Sequence, residues 1–173
     1  MGYYDKSNFL KSILSDDLKN KCTLYNKLGE ALDWFLSETR FESNVWGKIH
    51  FEDFLNKVKA VIKIEEKNYF FGENKASLQN KIPQKQVDNR IVYVIFSRSN
   101  KCERGESLAK RIRNGIAHGH TQIIDTSDGW YIRIEDYYNK AQTAYINFPL
   151  NCIVEIYNVY KKMDRSIKSK RKK

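Results

Sequence analysis

The spacing of the apolar residues changes once along this chain, and that change limits the folds open to it. Up to Ile116 they return every three or four positions, the repeat of a helix with one buried face. Past Gly119 they return every second position, in Trp130, Ile132 and Ile134, which is the repeat of a half-buried strand.

Taken in order, Leu18, Cys22, Tyr25, Leu28, Leu32, Phe35 and Leu36 predict one long amphipathic helix over 15–40. Ser15, Asp16 and Asp17 offer it an N-cap and negative charge at the positive end of the dipole. A shorter helix through Phe9, Ile13 and Leu14 precedes it, and a loop at 42–47 follows. Phe51, Phe54, Leu55, Val58, Val61 and Ile62 predict the next helix over 51–66. Residues 67–83, punctuated by Gly72, Asn74 and Pro83, hold a turn or a short helix. The run 91–96 taken alone fits a strand, but the four-residue repeat continues back to Val87 and favours a helix ending near Ser97. A hairpin is expected from 122–125 and 130–136 around a turn with Asp128-Gly129, and a third short strand from 143–147. The last helix is expected to open at Asn147 or Phe148, with Pro149 near its first position, and to run through Leu150, Ile153, Val154, Tyr157 and Tyr160. The expected fold is mainly α, a bundle of four to five helices with a small β-hairpin inserted before the last.

A chain of 173 residues with 41% hydrophobic residues makes one domain with a single core. We place it at 1–165, followed by a basic tail at 166–173. The net charge is +10, of which the stretch 161–173, with eight Lys/Arg against one Asp, holds +7. Such a block is expected to be solvated and to attract phosphate backbones without reading sequence. Cys22, Cys102 and Cys152 are far apart and outside metal-ligand spacing, which fits a reduced cytoplasmic compartment and neither metal nor cofactor. No apolar run approaches the ~20 residues of a membrane span, and the N-terminus lacks a signal-peptide pattern.

The stretch 108–120 carries the chemistry. Leu108, Ile112 and Ile116, with Gly115 and Gly119, make a buried face of small and apolar residues. At about 100° per residue, Asn114 points opposite that face, His118 lies about 40° to one side and Arg113 about 100° to the other. Each has a plainer reading: His118 as a helix-capping imidazole, Arg113 as a surface ion-pair residue, Asn114 as a solvated position. Lys110 and Arg111, on or beside the same polar face, and His120 just beyond it, are candidate RNA contacts. Their plainer readings are a solvated helix end and an exposed loop. The many tyrosines fall at core-like positions, and Trp46 is the aromatic that does not.

The segment Arg113-Asn114-Gly115-Ile116-Ala117-His118 resembles the signature of the HEPN superfamily, an Arg followed at four to six residues by His. The resemblance extends loosely over 1–165 and implies a motif near the start of a late helix in a helical bundle. It implies metal-independent RNA cleavage, as in toxins of toxin–antitoxin pairs and antiphage defence proteins, with an antitoxin or other defence-system partner. Catalysis would rest on Arg113, Asn114 and His118. The chemistry is compatible: RNA supplies its own 2′-hydroxyl nucleophile, an imidazole titrating near pH 6.5 can move protons, and a guanidinium can hold phosphate charge. Arg113 and His118 stand ~140° apart around an ideal helix and ~7.5 Å along it, so a second copy facing the first would complete the site. The HEPN resemblance implies the same homodimer. Where some members carry a tyrosine that a partner nucleotidyltransferase modifies, this chain has His120, so that mode of neutralisation lacks its target. Many members keep the fold without the chemistry; the intact triad favours an enzyme over a noncatalytic RNA- or partner-binding module.

Overall fold

Two apolar clusters on opposite faces of one sheet organise the fold. The computed structural model describes residues 13–37, 48–83 and 88–171, and the side chains of all of these but 48–50, 160 and 163–171. The expected helix through Phe9, the loop at 42–47 with Trp46, and Val87 lie outside the described residues.

The strands are β1 (Tyr69–Gly72), β2 (Tyr93–Ser97), β3 (Thr121–Thr126), β4 (Gly129–Tyr138) and β5 (Ala141–Pro149). They form a five-stranded sheet in the order β1-β2-β5-β4-β3, with β1 and β2 parallel and the other pairs antiparallel. The chain is therefore α/β, which corrects the expectation of a mainly α bundle carrying a small hairpin.

The misreading has a physical cause in β2. Val94 and Phe96 enter the main core under the helices, while Ile95 joins Leu78 and Tyr145 on the opposite face. A strand buried on both faces shows a continuous apolar run in place of alternation, so its period does not distinguish it from a helix. Upstream, Arg90 N donates to Asp88 Oδ1 at 2.9 Å and Ile91 N to Asp88 O at 3.1 Å, a turn that separates β2 from anything before it. The 67–83 region holds β1 between two 3₁₀ turns, Glu66–Asn68 and Lys75–Leu78.

Strand β5 is buried along most of its length and takes the residues expected to open the last helix. Asn147 sits in the strand, its Nδ2 donating to Asn89 O and Ile91 O at 2.8 Å each, and Phe148 is fully buried. The helix begins only after Pro149. The β4–β5 connection is a two-residue turn in which Asn139 and Lys140 have φ of 50° and 62°, the backbone of a type I′ hairpin.

The helices are α1 (Asp16–Lys21), α2 (Tyr25–Ser37), α3 (Lys48–Ile62), α4 (Arg104–Ala117) and α5 (Leu150–Arg171). Ser15 caps α1, its Oγ accepting from Leu18 N at 3.2 Å. The single helix expected over 15–40 is broken at Cys22, whose backbone turns extended. Both pieces bury the same side against one core, so the break leaves the apolar spacing intact. Helix α4 lies on β4, β2 and β5 with α2 and α3 at its flanks, and α5 packs on α2, α3, β4 and β5. Phe35, Phe51, Phe54, Phe96 and Phe148 are fully buried between these layers, each worth ~1.5–3 kcal/mol of transfer free energy. The backbone of α5 stays helical through Arg171, so most of the basic stretch continues a helix.

Candidate functional site

Helix α4 is held unusually close to its neighbours by two glycines. A Cβ on Gly105 would fall 1.9 Å from Phe51 O in α3, and one on Gly115 would fall 2.5 Å from both Glu135 O and Ile134 Cγ2 in β4. The end of α4 thus rests on the backbone of β4, with Leu108, Ile112 and Ile116 buried below.

Gly119 does not continue that face. It has φ +76° and ends the helix: its N–H donates to Ile116 O at 3.2 Å and His120 N–H donates to Gly115 O at 2.9 Å. These two bonds are the Schellman pattern, in which a left-handed residue after the cap satisfies the last carbonyls. His118 is the C-cap, its N–H donating to Asn114 O at 2.9 Å. His120 O then accepts from Glu135 N at 2.9 Å, which starts β3 alongside β4. The motif therefore occupies the last turn and cap of α4, not the start of a late helix.

The two arginines of the motif region have different fates. Arg111 was expected on or beside the polar face but is buried. Its Nη1 donates to Asp136 Oδ2 at 2.8 Å, its Nε to Ser97 O at 3.2 Å, and its Nη2 to Ser97 Oγ at 3.2 Å and Arg98 O at 2.8 Å. Thr143 Oγ1 donates to the same Asp136 oxygen at 2.9 Å. Thr143 has no partner of its own in the β4–β5 register, which shifts between Asp136 and Tyr137. This network ties α4 to the ends of β2, β4 and β5. The surface expectation for Arg111 fails because α4 packs against β2 as well as across β4, which leaves its polar flank narrower than an ideal wheel suggests. Lys110, partly exposed, has Nζ 2.9 Å from the buried Glu106 Oε1 and 3.1 Å from Cys102 Sγ. Burial lowers the ammonium pKa, but the Glu106 and Cys102 contacts outweigh it and the net shift is upward.

Arg113 and Asn114 are half-buried, and Arg113 Nη1 donates to Asn114 Oδ1 over a long 3.4 Å. His118 and His120 are exposed, with ring centroids 6.3 Å apart. The rings of Tyr137 and His120 meet edge to face, with centroids 4.9 Å apart and planes at 76°. Tyr137 in turn donates its hydroxyl to Glu135 Oε2 at 2.8 Å. Burial, then that hydrogen bond, pushes the Tyr137 phenol up to about 12, so it remains a donor at neutral pH. The structure thus gathers Arg113, Asn114, His118 and His120 at one end of α4 and directs Arg111 inward.

Tyr137 and Tyr138 lie beside these groups, Tyr137 against His120 and Tyr138 with Asn114 around one recess, and sequence reasoning passed over both, having read the tyrosines as core. The available signal was their place at the tip of the hairpin, after the last inward residue Asp136 and before the Asn139 turn. Among the described residues, no group of three or more His, Cys, Asp or Glu side chains is placed to hold a metal ion, and no helix is long and apolar enough to cross a membrane.

Against families of known proteins, the chain matches the family described as HEPN pEK499 p136 over residues 1–171. The chain belongs to this HEPN family. No curated protein and no solved structure matches it. The HEPN assignment covers the sheet as well as the helices, so the five strands are part of the family's match to this chain.

Proposed function

We propose that this HEPN protein is a metal-independent endoribonuclease, acting in a toxin–antitoxin or antiphage defence role. The observation that carries the reading is the pair of exposed imidazoles, 6.3 Å apart, at the cap of the helix whose last turns carry Arg113 and Asn114, in a chain of this family.

Transesterification of RNA needs a base for the 2′-hydroxyl, an acid for the departing 5′-oxygen and a cation for the phosphorane between them. In this reading His118 takes the 2′-hydroxyl proton and His120 gives one to the 5′-oxygen. The products are a 2′,3′-cyclic phosphate and a 5′-hydroxyl, with proton count conserved. Arg113 holds the non-bridging oxygens, and Asn114 fixes the guanidinium. Two copies facing each other across a two-fold axis bring both caps to one strand and double the positive charge around it. Lys110 and the basic end of α5 add phosphate affinity, while Arg111 acts by holding α4 in place.

The test is cleavage of single-stranded RNA in EDTA by the purified protein, with cyclic-phosphate ends identified on the products. His118→Ala should lower the rate by roughly 10²–10⁴ while light scattering still reports a dimer. His120→Ala should be impaired on RNA but nearly normal on a uridine 3′-aryl phosphate, whose leaving group needs no acid. Cleavage of DNA, or activity only with added divalent metal, would overturn the mechanism.

A further inference from the structure

Beside the motif lies a recess of about 430 Å³ that the reaction just described does not use. Its wall includes Asn114 of the motif, its floor the buried Ser97 and Thr143, and its rim Lys75, Asn100 and Tyr138. Its size falls in the range of about 300–1,000 Å³ over which proteins hold small ligands and single residues of polymers.

Tyr138 is the unusual member. It is 63% exposed, whereas among the described residues the other large apolar and aromatic side chains are mostly covered. Its neighbour Tyr137 has its hydroxyl on Glu135 and its ring against His120, whereas the Tyr138 ring has Lys75 Nζ 5.9 Å from its centroid. The backbone that carries the ring is held in place. Tyr138 sits one residue before the type I′ turn, on a strand fixed by the pairs Tyr138↔Ala141 and Tyr137↔Gln142. Asp136, two residues back along the same strand, is anchored by Arg111 and Thr143. A solvent-facing aromatic ring on a paired strand, beside an ammonium group, suits the face of a nucleobase and its phosphate. Stacking of that kind accepts any base.

We propose that this recess is a nucleotide subsite of the RNA strand, with the base next to the scissile phosphate stacked on Tyr138 and its backbone phosphate near Lys75. Resting on the ribonuclease reading, the proposal makes single-stranded RNA the substrate class, because a paired base has no free face to offer the ring. Tyr137 and Tyr138 then have separate tasks: the first positions His120 and the second positions the strand.

Affinity for a short single-stranded oligonucleotide, measured by fluorescence anisotropy with the full chain carrying His118→Ala, tests the subsite without turnover. Tyr138→Ala should weaken binding about tenfold, and Tyr138→Phe should restore it, since stacking needs the ring and not the hydroxyl. Lys75→Ala should reduce the salt dependence by about 0.7 in the log–log slope, one phosphate contact on a single strand. A duplex of the same sequence should bind no differently to the Tyr138→Ala variant and its parent. With circular dichroism unchanged, equal single-strand affinity of the Tyr138→Ala variant and its parent overturns the subsite, even if cleavage by the native chain depends on His118. Weakened binding in a native protein that cleaves nothing leaves the subsite standing and removes the catalytic reading.

Discussion

Arg111 and Arg113 stand two positions apart on α4 and are chemically identical, yet the fold uses them in opposite ways. Arg111 is sealed among Asp136, Ser97 and the Arg98 carbonyl, with its charge paired and each of its three guanidinium nitrogens hydrogen-bonded. Arg113 is half-buried beside Asn114, at the end of the helix where the two exposed histidines emerge. A buried charge with its partners complete stabilises a particular packing arrangement and is removed from chemistry. One near the surface, beside groups that can move protons, keeps its field for a ligand. The buried platform built on Arg111 and the exposed end of α4 are thus neighbours on one helix, and the first holds the second in position.

The largest expected effect separates them. Asp136→Ala or Arg111→Ala leaves one buried charge without its partner and should cost about 3–5 kcal/mol of stability, read as a shift in the urea midpoint. The paired change Arg111→Met with Asp136→Leu should recover most of it, because no charge is then stranded. Loss of cleavage with an unmoved midpoint in Arg111→Ala would break the comparison, since it would make Arg111 a catalytic residue.

Arg113→Ala should do the reverse. It should lower cleavage by roughly 10²–10³, the usual loss when one stabiliser of developing charge is removed. Its midpoint should stay within about 0.5 kcal/mol of the parent. A large midpoint shift would place Arg113 in the platform.

Gly115→Ala tests the contact between the two regions. The new methyl would meet Glu135 O and Ile134 Cγ2 at 2.5 Å, so α4 must lift from β4. We expect about 1–3 kcal/mol of destabilisation, together with a fall in cleavage beyond what unfolding explains, because the cap carrying His118 moves with the helix. A stability loss with unchanged activity of the folded fraction would show that the site tolerates a shift of α4.

The smallest effect is electrostatic. Burial comes first in raising Tyr137 to about 12, and burial also comes first in raising Tyr69 to about 12. An unfolded phenol titrates near 10, so the folded state holds these protons longer. Their stabilising contribution is complete below about pH 10 and is lost as pH rises through about 12. Tyrosinate absorbance should show late-titrating phenols, and Tyr137→Phe should remove one of them. Loss in Tyr137→Phe of a phenol that titrates near 10, in place of a late one, would mean that burial and the Glu135 contact do not hold this proton in solution.

The motif and most helices were legible because their information is local. Arg113, Asn114 and His118 could be placed on one polar side from spacing alone, Ser15 could be read as a cap, and the hairpin turn could be read from Asp128-Gly129. What the sequence determined by itself was the set of candidate groups and the helix that carries them. The sheet was decided by tertiary structure, because β2 and β5 are buried on both faces and their apolar runs carry no period. The fate of Arg111 was decided there too, since only the packed fold brings Ser97, Asp136 and Thr143 from three strands to one side of α4. The same holds for Tyr138: a tyrosine in a strand reads as core until the length of the sheet and the place of the turn determine which residue lies beyond the covered edge. Spacing along a chain reports which side of an element is apolar, whereas pairing between distant strands determines what that side and its opposite will meet.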